Sequence, residues 1–576
     1  MTRYKLLMEV FWGIYNKINN KGEKWTMILK GQSKILTLVV LLSVFSSCTV
    51  AFAAVQPSAA SDAGVQLNRT KEYLENQRVA QQIAEEKTKT KDKVEDKTQK
   101  SNEAEETDIK FIVNAIIIKK SVVINNQEIQ DITNKYVGKK VAIKDLYNVV
   151  AEINALYNKK GYFTCRAFLP VQTIKKGVVN IELIEGKTGN IIVEGNKSTN
   201  SEYITDRLHL KHDDVDNIHV LNKDLLWFNA NNDAQLHISL QAGEMPGTTD
   251  YVISTVEPQR STFTTYVDNA GYDSSGLWRE GLFYTNKSLT GKRDILNIST
   301  IFSQGTKAVS SFYSMPVGRS GTRLIAQYSA NSVHVISGAM KDMNVRGHSN
   351  SYGLSVVQPL AVTENLKTQA ALEYSHQNSK TDFTGIHWVD DTINDYTASF
   401  SMTNYGKSYV LYQKHSYRMG RWENIDGAER NFGKYQVNLF YQKAYQSGQM
   451  LSARVDGQWS SANYMPSAEQ FYIGGMYSVR GYKESFLSGD HGYSSSLEYS
   501  VPLGKSTAIF SFIDYGAVYG ESALDDHVLI SSGIGVKTTI AKKIYANVSL
   551  GVPFRKEING TEVSKVRIHF MLNGQF

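Results

Sequence analysis

The strongest constraint on this 576-residue chain lies in residues 566–576, where Val566, Ile568, Phe570 and Leu572 fall at every second position and Phe576 ends the sequence. Period-two alternation places apolar side chains on one face of a strand and polar ones, here Arg567 and His569, on the other. A soluble edge strand can carry the same pattern, so the weight falls on repetition. Leu451, Ala453, Val455, Gly457 and Trp459 alternate with Ser452, Arg454, Asp456, Gln458 and Ser460. Ile544, Ala546, Val548, Leu550 and Val552 alternate with Tyr545, Asn547, Ser549 and Gly551. Each run approaches the roughly 9–11 residues that a tilted strand needs to cross hydrocarbon. Similar runs at 396–402, 435–441 and 497–501 are separated by segments rich in Gly, Ser, Asn and Asp. Such strands in lipid must close on themselves, because an open edge would leave backbone groups without partners or water.

Composition fits strands better than helices as the spanning elements. Tyr is abundant (33) against Pro (9), hydrophobic content is 41%, and mean hydropathy is −0.32. That is too polar for a helical membrane protein, and Tyr is the aromatic of interfacial girdles. Residues 35–53 alone are apolar enough for a helical span. They follow Lys30 and Lys34 and end on Ala51-Phe52-Ala53, which predicts a secretory signal peptide over 1–53 and a mature chain from Ala54. The positively charged region is long if Met1 is the start; an ordinary signal begins at Met27. Cys48 follows Phe45-Ser46-Ser47, without the Leu expected of a lipoprotein site. Cleavage after Ala53 leaves Cys165 as the sole thiol, so no internal disulfide is expected.

Three kinds of sequence separate the signal from the barrel. Residues 66–87 place Leu67, Tyr73, Leu74, Val79 and Ile83 among many Glu, Gln, Arg and Lys, a helix with a thin apolar stripe that suits a watery lumen. Residues 88–107 are charged and nearly free of large apolar groups, which predicts a flexible linker. Residues 108–186 predict a strand at 111–118, a helix near 127–135, a second helix from Lys144 that stops at Gly161, and strands at 162–169 and 178–184. Residues 187–257 repeat that order: strand 191–194, helices near 202–208 and 220–228, strands 234–240 and 251–256. The barrel is expected over 259–576.

At this point the chain resembles a known family. Lys159-Lys160-Gly161-Tyr162-Phe163-Thr164-Cys165-Arg166-Ala167-Phe168-Leu169-Pro170-Val171-Gln172, followed by Ile184-Glu185-Gly186, is similar to the first polypeptide-transport-associated (POTRA) domain of two-partner secretion transporters, the haemolysin secretion/activation proteins. Gly474-Gly475-Met476-Tyr477-Ser478-Val479-Arg480-Gly481-Tyr482 resembles the signature of their inward-folded barrel loop. The resemblance implies an α+β pair of POTRA domains (108–186 and 187–257), an N-terminal plug helix, and an all-β transmembrane barrel of about sixteen antiparallel strands. The 318 residues from Gln259 onward give roughly twenty per strand and connection, which accommodates that count.

The loop motif has a physical reading. Arg480 inside a barrel needs an acidic partner, since breaking a buried pair costs about 3–5 kcal/mol. Asp514 in Phe512-Ile513-Asp514 matches the family's Phe-x-Asp, although Thr507 and Ile509 depart from the residues usual upstream and leave the register of that strand open. Gly481 permits a tight bend, Tyr482 can pack on the wall, and Val479 completes the motif.

Other chemistry finds no constellation. The twelve His are scattered, so no metal is expected; Gly533-Ile534-Gly535 reads as strand glycines; no Walker motif is present and no cofactor is expected. Lys119-Lys120, Lys139-Lys140, Lys159-Lys160 and Lys175-Lys176 make the first module basic, and the net charge of +7 reads first as solvated surface and second as attraction to an acidic secreted partner, not to nucleic acid. The expectation is a non-enzymatic translocator of type V secretion in the bacterial outer membrane, its POTRA domains in the periplasm. Its partners are a large exoprotein with an N-terminal secretion domain (adhesin or haemolysin), outer-membrane lipid, and the barrel-assembly machinery, which reads Phe576. The alternative is an insertase that assembles other barrels; a passive porin would need neither modules nor motif, and no Ser/His/acid constellation supports a hydrolase.

Overall fold

The computed structural model describes residues 60–88, 93–96, 110–541 and 543–576. The expected signal peptide, Cys48 and most of the expected linker lie outside them.

Helix α1, Ala63–Thr88, begins three residues earlier than the apolar stripe predicts. Asp62 explains the start: its Oδ1 accepts from the Gly64 and Val65 amides (2.8 and 3.2 Å), satisfying two donors that a helix leaves unpaired. Strand β1, Glu95–Asp96, falls inside the stretch expected to be linker. It pairs in parallel with a strand of the second module, so this part of the stretch is ordered.

The first module contains β2 (Lys110–Ile112), β3 (Ala115–Ile118), α2 (Asn126–Thr133), β4 (Lys140–Ala142), α3 (Ile143–Lys160), β5 (Cys165–Phe168) and β6 (Val178–Glu185). The single strand expected over 111–118 is two. The chain changes partner at Val113 and Asn114, whose amides donate to the Lys139 and Gly177 carbonyls, so β2 pairs with β4 and β3 with β6. A capping box of Asn125 and Glu128 opens α2. Gly161, in the left-handed region at φ 89°, ends α3 where the sequence predicts. Leu146, Val149, Ile153 and Tyr157 of α3 pack with Cys165, Ala167, Val179 and Ile181. Burial pushes the Cys165 thiol up to about 12, which makes it a core side chain and not a nucleophile.

The second module contains β7 (Lys187–Glu194), α4 (Ser201–Thr205), α5 (Ile218–Asn231), β8 (Gln235–Ala242) and β9 (Thr248–Val256). Its sheet runs β1-β8-β9-β7, and Leu221, Leu225 and Phe228 of α5 cover Leu236, Ile238, Leu240 and Ile253.

Sixteen strands then close a barrel. They are β10 (Ser261–Asp268), β11 (Arg279–Lys287), β12 (Ile295–Phe302), β13 (Thr306–Val317), β14 (Thr322–His334), β15 (Arg346–Val362), β16 (Leu366–Phe383), β17 (Ile386–Tyr405), β18 (Tyr409–Glu423), β19 (Glu429–Ala444), β20 (Met450–Ser460), β23 (His491–Leu503), β24 (Thr507–Tyr519), β25 (Val528–Ala541), β26 (Ile544–Pro553) and β29 (Arg567–Gln575). Loop strands β21 (Phe471–Ile473), β22 (Leu487–Gly489), β27 (Glu557–Ile558) and β28 (Thr561–Glu562) stand outside the wall. All wall pairs are antiparallel, and β10 meets β29 from Thr264 opposite Gln575 to Asp268 opposite Met571. Phe263 and Phe576 exchange backbone hydrogen bonds at 3.0 and 2.7 Å, so the terminal residue completes the seam.

The two faces of the wall separate as the alternation predicts. Trp459 is 45% exposed and its neighbour Gln458 1%; Ile568 is 57% exposed and His569 2%. Exposed Leu282, Leu354, Leu372, Phe400, Leu497 and Ile534 continue an outward apolar band of a kind that soluble surfaces avoid. The second module abuts the turns at 288–294 and 318–321 at one end of the wall. Arg293, fully buried, donates from Nε to Asp233 (2.8 Å), and Lys367 Nζ donates to the Ala230 carbonyl (2.5 Å).

Candidate functional site: an inward loop and a helix in the lumen

Residues 461–490 join β20 to β23 at the end of the barrel away from the modules and fold inward. Strands β21 and β22 pair and carry the tip to the wall. There Arg480 meets Asp514 in a fork: Nε donates to Oδ2 and Nη2 to Oδ1, both at 2.8 Å, while the Arg480 amide also donates to Oδ2 at 2.9 Å. Asp514 is fully buried and Arg480 nearly so. Bidentate geometry with every carboxylate oxygen occupied is the condition under which a buried ion pair holds, and loss of either partner would leave a charge stranded.

The spacing Phe-x-Asp acquires a reason here. Residues two apart share a face of a strand, so Phe512 and Asp514 both point into the lumen from β24. The Phe512 ring centroid lies 3.5 Å from the guanidinium carbon of Arg480, adding a cation–π contact to the ion pair. The register left open by Thr507 and Ile509 is fixed by β23, with Asp514 opposite Ser496.

Sequence reasoning named Arg480 and Asp514 but missed the rest of their surroundings. Ser496 Oγ donates to Asp514 Oδ1 (2.7 Å) and accepts from Arg480 Nη2 (3.0 Å). Glu498 accepts from Arg480 Nη1 (3.1 Å) and from Lys537 Nζ. In the sequence Ser496 and Glu498 show only as polar positions of an alternating strand; their register opposite the Asp514 strand is a property of the fold. Two wall glycines were also missed. A Cβ on Gly551 would stand 2.6 Å from the Arg480 carbonyl, and one on Gly516 would stand 2.9 Å from Val479 Cγ2. The loop lies where the wall lacks side chains. Gly481 itself takes φ 125° and approaches Ser531, a backbone that other residues rarely adopt. Val479 and Tyr482 are buried with Ile473, Leu487, Val518 and Leu529, and Tyr482 donates its hydroxyl to the Ile530 carbonyl at 3.0 Å.

The base of the loop is tied separately. Glu469 is buried between Lys434 (2.7 Å) and Arg418 (3.1 Å).

Helix α1 runs through the same lumen. Its N-terminal end touches lumenal side chains far from the modules: Asn331 Nδ2 donates to the Ala63 carbonyl (2.9 Å) and the Ala63 amide to Thr381 Oγ1 (3.4 Å). Farther along, Lys71 donates to Ser351 (3.2 Å) and Lys414 to Glu75 (3.5 Å). The helix also touches the loop. Ser467 donates to Asp62, Asn68 Nδ2 donates to the Ala468 carbonyl (2.7 Å), and Tyr73 lies 5.1 Å from Tyr477 between ring centroids. Arg279, paired with Asp268 at 2.8 and 2.7 Å, stands over the Tyr73 ring at 5.2 Å.

Comparison with known proteins agrees with this geometry. Residues 247–538 match the family described as haemolysin secretion/activation protein ShlB/FhaC/HecB, and residues 111–186 match the ShlB-type POTRA domain. The heme/hemopexin transporter protein HuxB of Haemophilus influenzae (strain 86-028NP) is 24% identical over 479 residues, covering 76% of this chain and 83% of the relative. The outer membrane transporter CdiB-2 of Burkholderia pseudomallei (strain 1026b) is 22% identical, covering 77% and 80%. The solved structure of CdiB from Acinetobacter baumannii superposes with a TM-score of 0.63 at 19% identity, over 91% of this chain and 100% of that one. A lipid-facing sixteen-stranded wall, a POTRA region on its periplasmic side and a family match over more than half the sequence lead to one conclusion: the chain belongs to the haemolysin secretion/activation family and is an outer-membrane transporter of two-partner secretion, exporting a partner exoprotein through its barrel.

Proposed function

We propose that this transporter carries no catalytic activity of its own and that its work is done by three parts in sequence. The two α/β modules, 108–186 and 187–257, receive an unfolded exoprotein with an N-terminal secretion domain, an adhesin or a haemolysin, by adding its strands to sheet edges. Helix α1 then leaves the lumen toward the periplasm. The loop carrying Val479, Arg480, Gly481 and Tyr482 stays bound to Asp514 and keeps the barrel in the conducting shape. Folding of cargo outside the cell supplies the driving force. Outer-membrane lipid and the barrel-assembly machinery, which recognises the Phe576 end, are the remaining partners.

The observation that carries this reading is the difference in attachment between the two occupants of one lumen. Arg480 and Asp514 form a buried, fully satisfied pair, whereas α1, beyond its buried first turn, Tyr73 and Ile83, is held by scattered polar contacts. A barrel of sixteen strands leaves an aqueous channel once it is unblocked. The direct test is Arg480→Ala expressed together with its partner exoprotein. Export should cease while heat-modifiable barrel still accumulates in the outer membrane. Wild-type levels of secretion would remove the loop from the mechanism. Depletion of the chain separates this reading from the insertase alternative: one secreted protein should fall, with other outer-membrane barrels unchanged.

A further inference from the structure

The two ends of the barrel wall carry different charge. At the end that faces the modules, which is periplasmic in this family, five of the seven turns between wall strands present an exposed cation: Lys292, Arg319, Lys407, Lys505 and Lys543. Among the described residues of those turns Glu364 is the one exposed carboxylate, and Lys93 stands 3.7 Å from it. Arg319 has Asp206 at 3.3 Å, with both side chains mostly exposed; the four lysines have no carboxylate partner among the described residues. The connections at the far end interleave the signs instead, as in Lys341-Asp342 and Lys556-Glu557, and expose Asp426 and Asp525 besides.

The height of the cationic turns relative to lipid follows from strand length. Strands β10, β11 and β12 hold eight, nine and eight residues, against the roughly 9–11 that a tilted strand needs to cross hydrocarbon, so the turn at 288–294 begins where the hydrocarbon ends. Short connections keep other turns at the same rim: Arg319 lies in a turn of four residues, Lys407 and Lys505 in turns of three. Apolar side chains mark the boundary. Leu289, Val317, Leu503 and Ile540, each at least 40% exposed, lie two or three positions from Lys292, Arg319, Lys505 and Lys543. An apolar side chain in the acyl region with a cation just beyond it is an interfacial anchor, in which the aliphatic stem follows the apolar surface and the charge reaches the headgroups.

We propose that the periplasmic rim of the wall is a binding surface for phospholipids of net negative charge, phosphatidylglycerol or cardiolipin, whose phosphodiesters pair with Lys292, Arg319, Lys407, Lys505 and Lys543. Cations fixed beside a bilayer attract anionic headgroups, whereas a zwitterionic headgroup carries its own ammonium beside the phosphate and gains less. Distribution favours lipid over protein as the occupant. Cations gathered at the mouth of the lumen would suit an acidic polypeptide on its way in; these are spread over five turns, from the β11–β12 connection to the β25–β26 connection. The proposal gives a chemical class to the outer-membrane lipid named as a partner above, and it rests on that reading only for which end is periplasmic.

The test places the full chain in vesicles of about four parts phosphatidylcholine to one part phosphatidylglycerol, extracts it with mild detergent, and identifies the retained lipids by mass spectrometry. Wild type should hold phosphatidylglycerol at least about threefold above the vesicle ratio, and washing in about 1 M salt, where the screening length is about 3 Å, should return it to that ratio. A variant with Lys292→Gln, Arg319→Gln, Lys407→Gln, Lys505→Gln and Lys543→Gln should show the vesicle ratio without the wash. Lys341→Gln with Lys556→Gln, at the far end, should match wild type. Heat-modifiable migration establishes the folded barrel in each case; if the five-site variant lacks it, Lys407→Gln with Lys505→Gln should give an intermediate ratio. The proposal is overturned by no enrichment in wild type, by enrichment that the rim substitutions leave unchanged, or by an equal loss in the far-end control. Lost export with enrichment intact assigns the ring to acidic cargo and overturns it as well. A wild type that exports no partner fails the transport reading alone, since lipid retention is measured without cargo.

Discussion

Loop 461–490 and helix α1 share one lumen but are fixed to it by different physics. The loop tip buries Val479 and Tyr482 in a cluster with Ile473, Leu487, Val518, Leu529 and Ile558, and ends in the buried Arg480–Asp514 ion pair. The helix buries its first turn, Ala63 to Leu67, and then Tyr73 and Ile83, but between these it is held by scattered polar contacts: Asn68 to the Ala468 carbonyl, Lys71 to Ser351, the Lys414–Glu75 ion pair and Arg78 over the Phe312 ring. Apolar burial and a buried ion pair have no substitute in water, whereas a lone surface-type hydrogen bond contributes only about 0.5–1.5 kcal/mol because water replaces it. The part proposed to stay and the part proposed to leave thus differ in how each is attached.

The most severe way to break the comparison is to strand a charge. Asp514→Ala leaves Arg480 buried without its carboxylate, at a cost of about 3–5 kcal/mol to loop docking. Protease sites within residues 461–490 should become accessible, and export should fall below detection. Arg480→Ala with Asp514→Ala should cost less than the sum of the two, since neither charge then lacks a partner. Additive effects would show that the two residues act independently.

Steric exclusion tests the same seat without touching charge. Gly551→Val fills the space that the Arg480 backbone occupies, so the loop must lift by about 1–3 kcal/mol of overpacking while the β26 ladder persists. The expected result is a heat-modifiable barrel with loop protease sensitivity like that of Asp514→Ala. A protected loop in Gly551→Val would mean that the tip does not need this contact.

A buried carboxylate without a guanidinium sharpens the point from the opposite side. Asp216, in the second module before α5, is buried, and its Oδ2 has no hydrogen-bond partner. Burial raises its pKa from 3.8 to about 7, with Asp214 adding to the rise and a hydrogen bond to Tyr251 opposing it. With the folded value above the unfolded one, stability is fully present below pH about 4 and is lost as pH rises toward about 7. Asp216→Asn should abolish that dependence and stabilise the module at neutral pH by on the order of 1–2 kcal/mol, after discounting for water near the site. Hydrogen exchange of β8 and β9, corrected for intrinsic rates, reads this directly. An unchanged pH profile in Asp216→Asn would place the titrating group elsewhere.

What the sequence disclosed follows the range of the forces involved. Alternation around Trp459 and Ile568 revealed the wall because a strand's face is a local property, and Gly161 marked the end of α3 for the same reason. Arg480 and Asp514 were legible through motif and charge. Ser496, Glu498, Gly516 and Gly551 were not, because each gains its role from a register between strands that no single stretch encodes. The division of 111–118 at Val113 and the pairing of Glu95–Asp96 with β8 were hidden likewise, since both depend on partners distant in sequence.

The mildest intervention on the wall is the removal of α1 itself. If the helix is a passenger in the lumen, deleting residues 63–88 should leave the wall ladders and the Arg480–Asp514 pair intact, because no strand pairs with α1 and the hydrogen bonds of the pair run to the loop and wall. The midpoint of thermal unfolding in detergent should then change by no more than the few degrees that about 1 kcal/mol represents for a structure this size. Bilayer conductance should rise well above wild type, as a lumen obstructed along the helix opens. The point variants Asn68→Ala and Lys71→Ala should move in the same direction by smaller steps, each removing one hydrogen bond between α1 and its surroundings. A large loss of barrel stability on deletion would show that α1 is structural, and the contrast between the fixed loop and the removable helix would collapse, because the apolar burial of Leu67 and Tyr73 would then outweigh the wet polar contacts along the rest of its length.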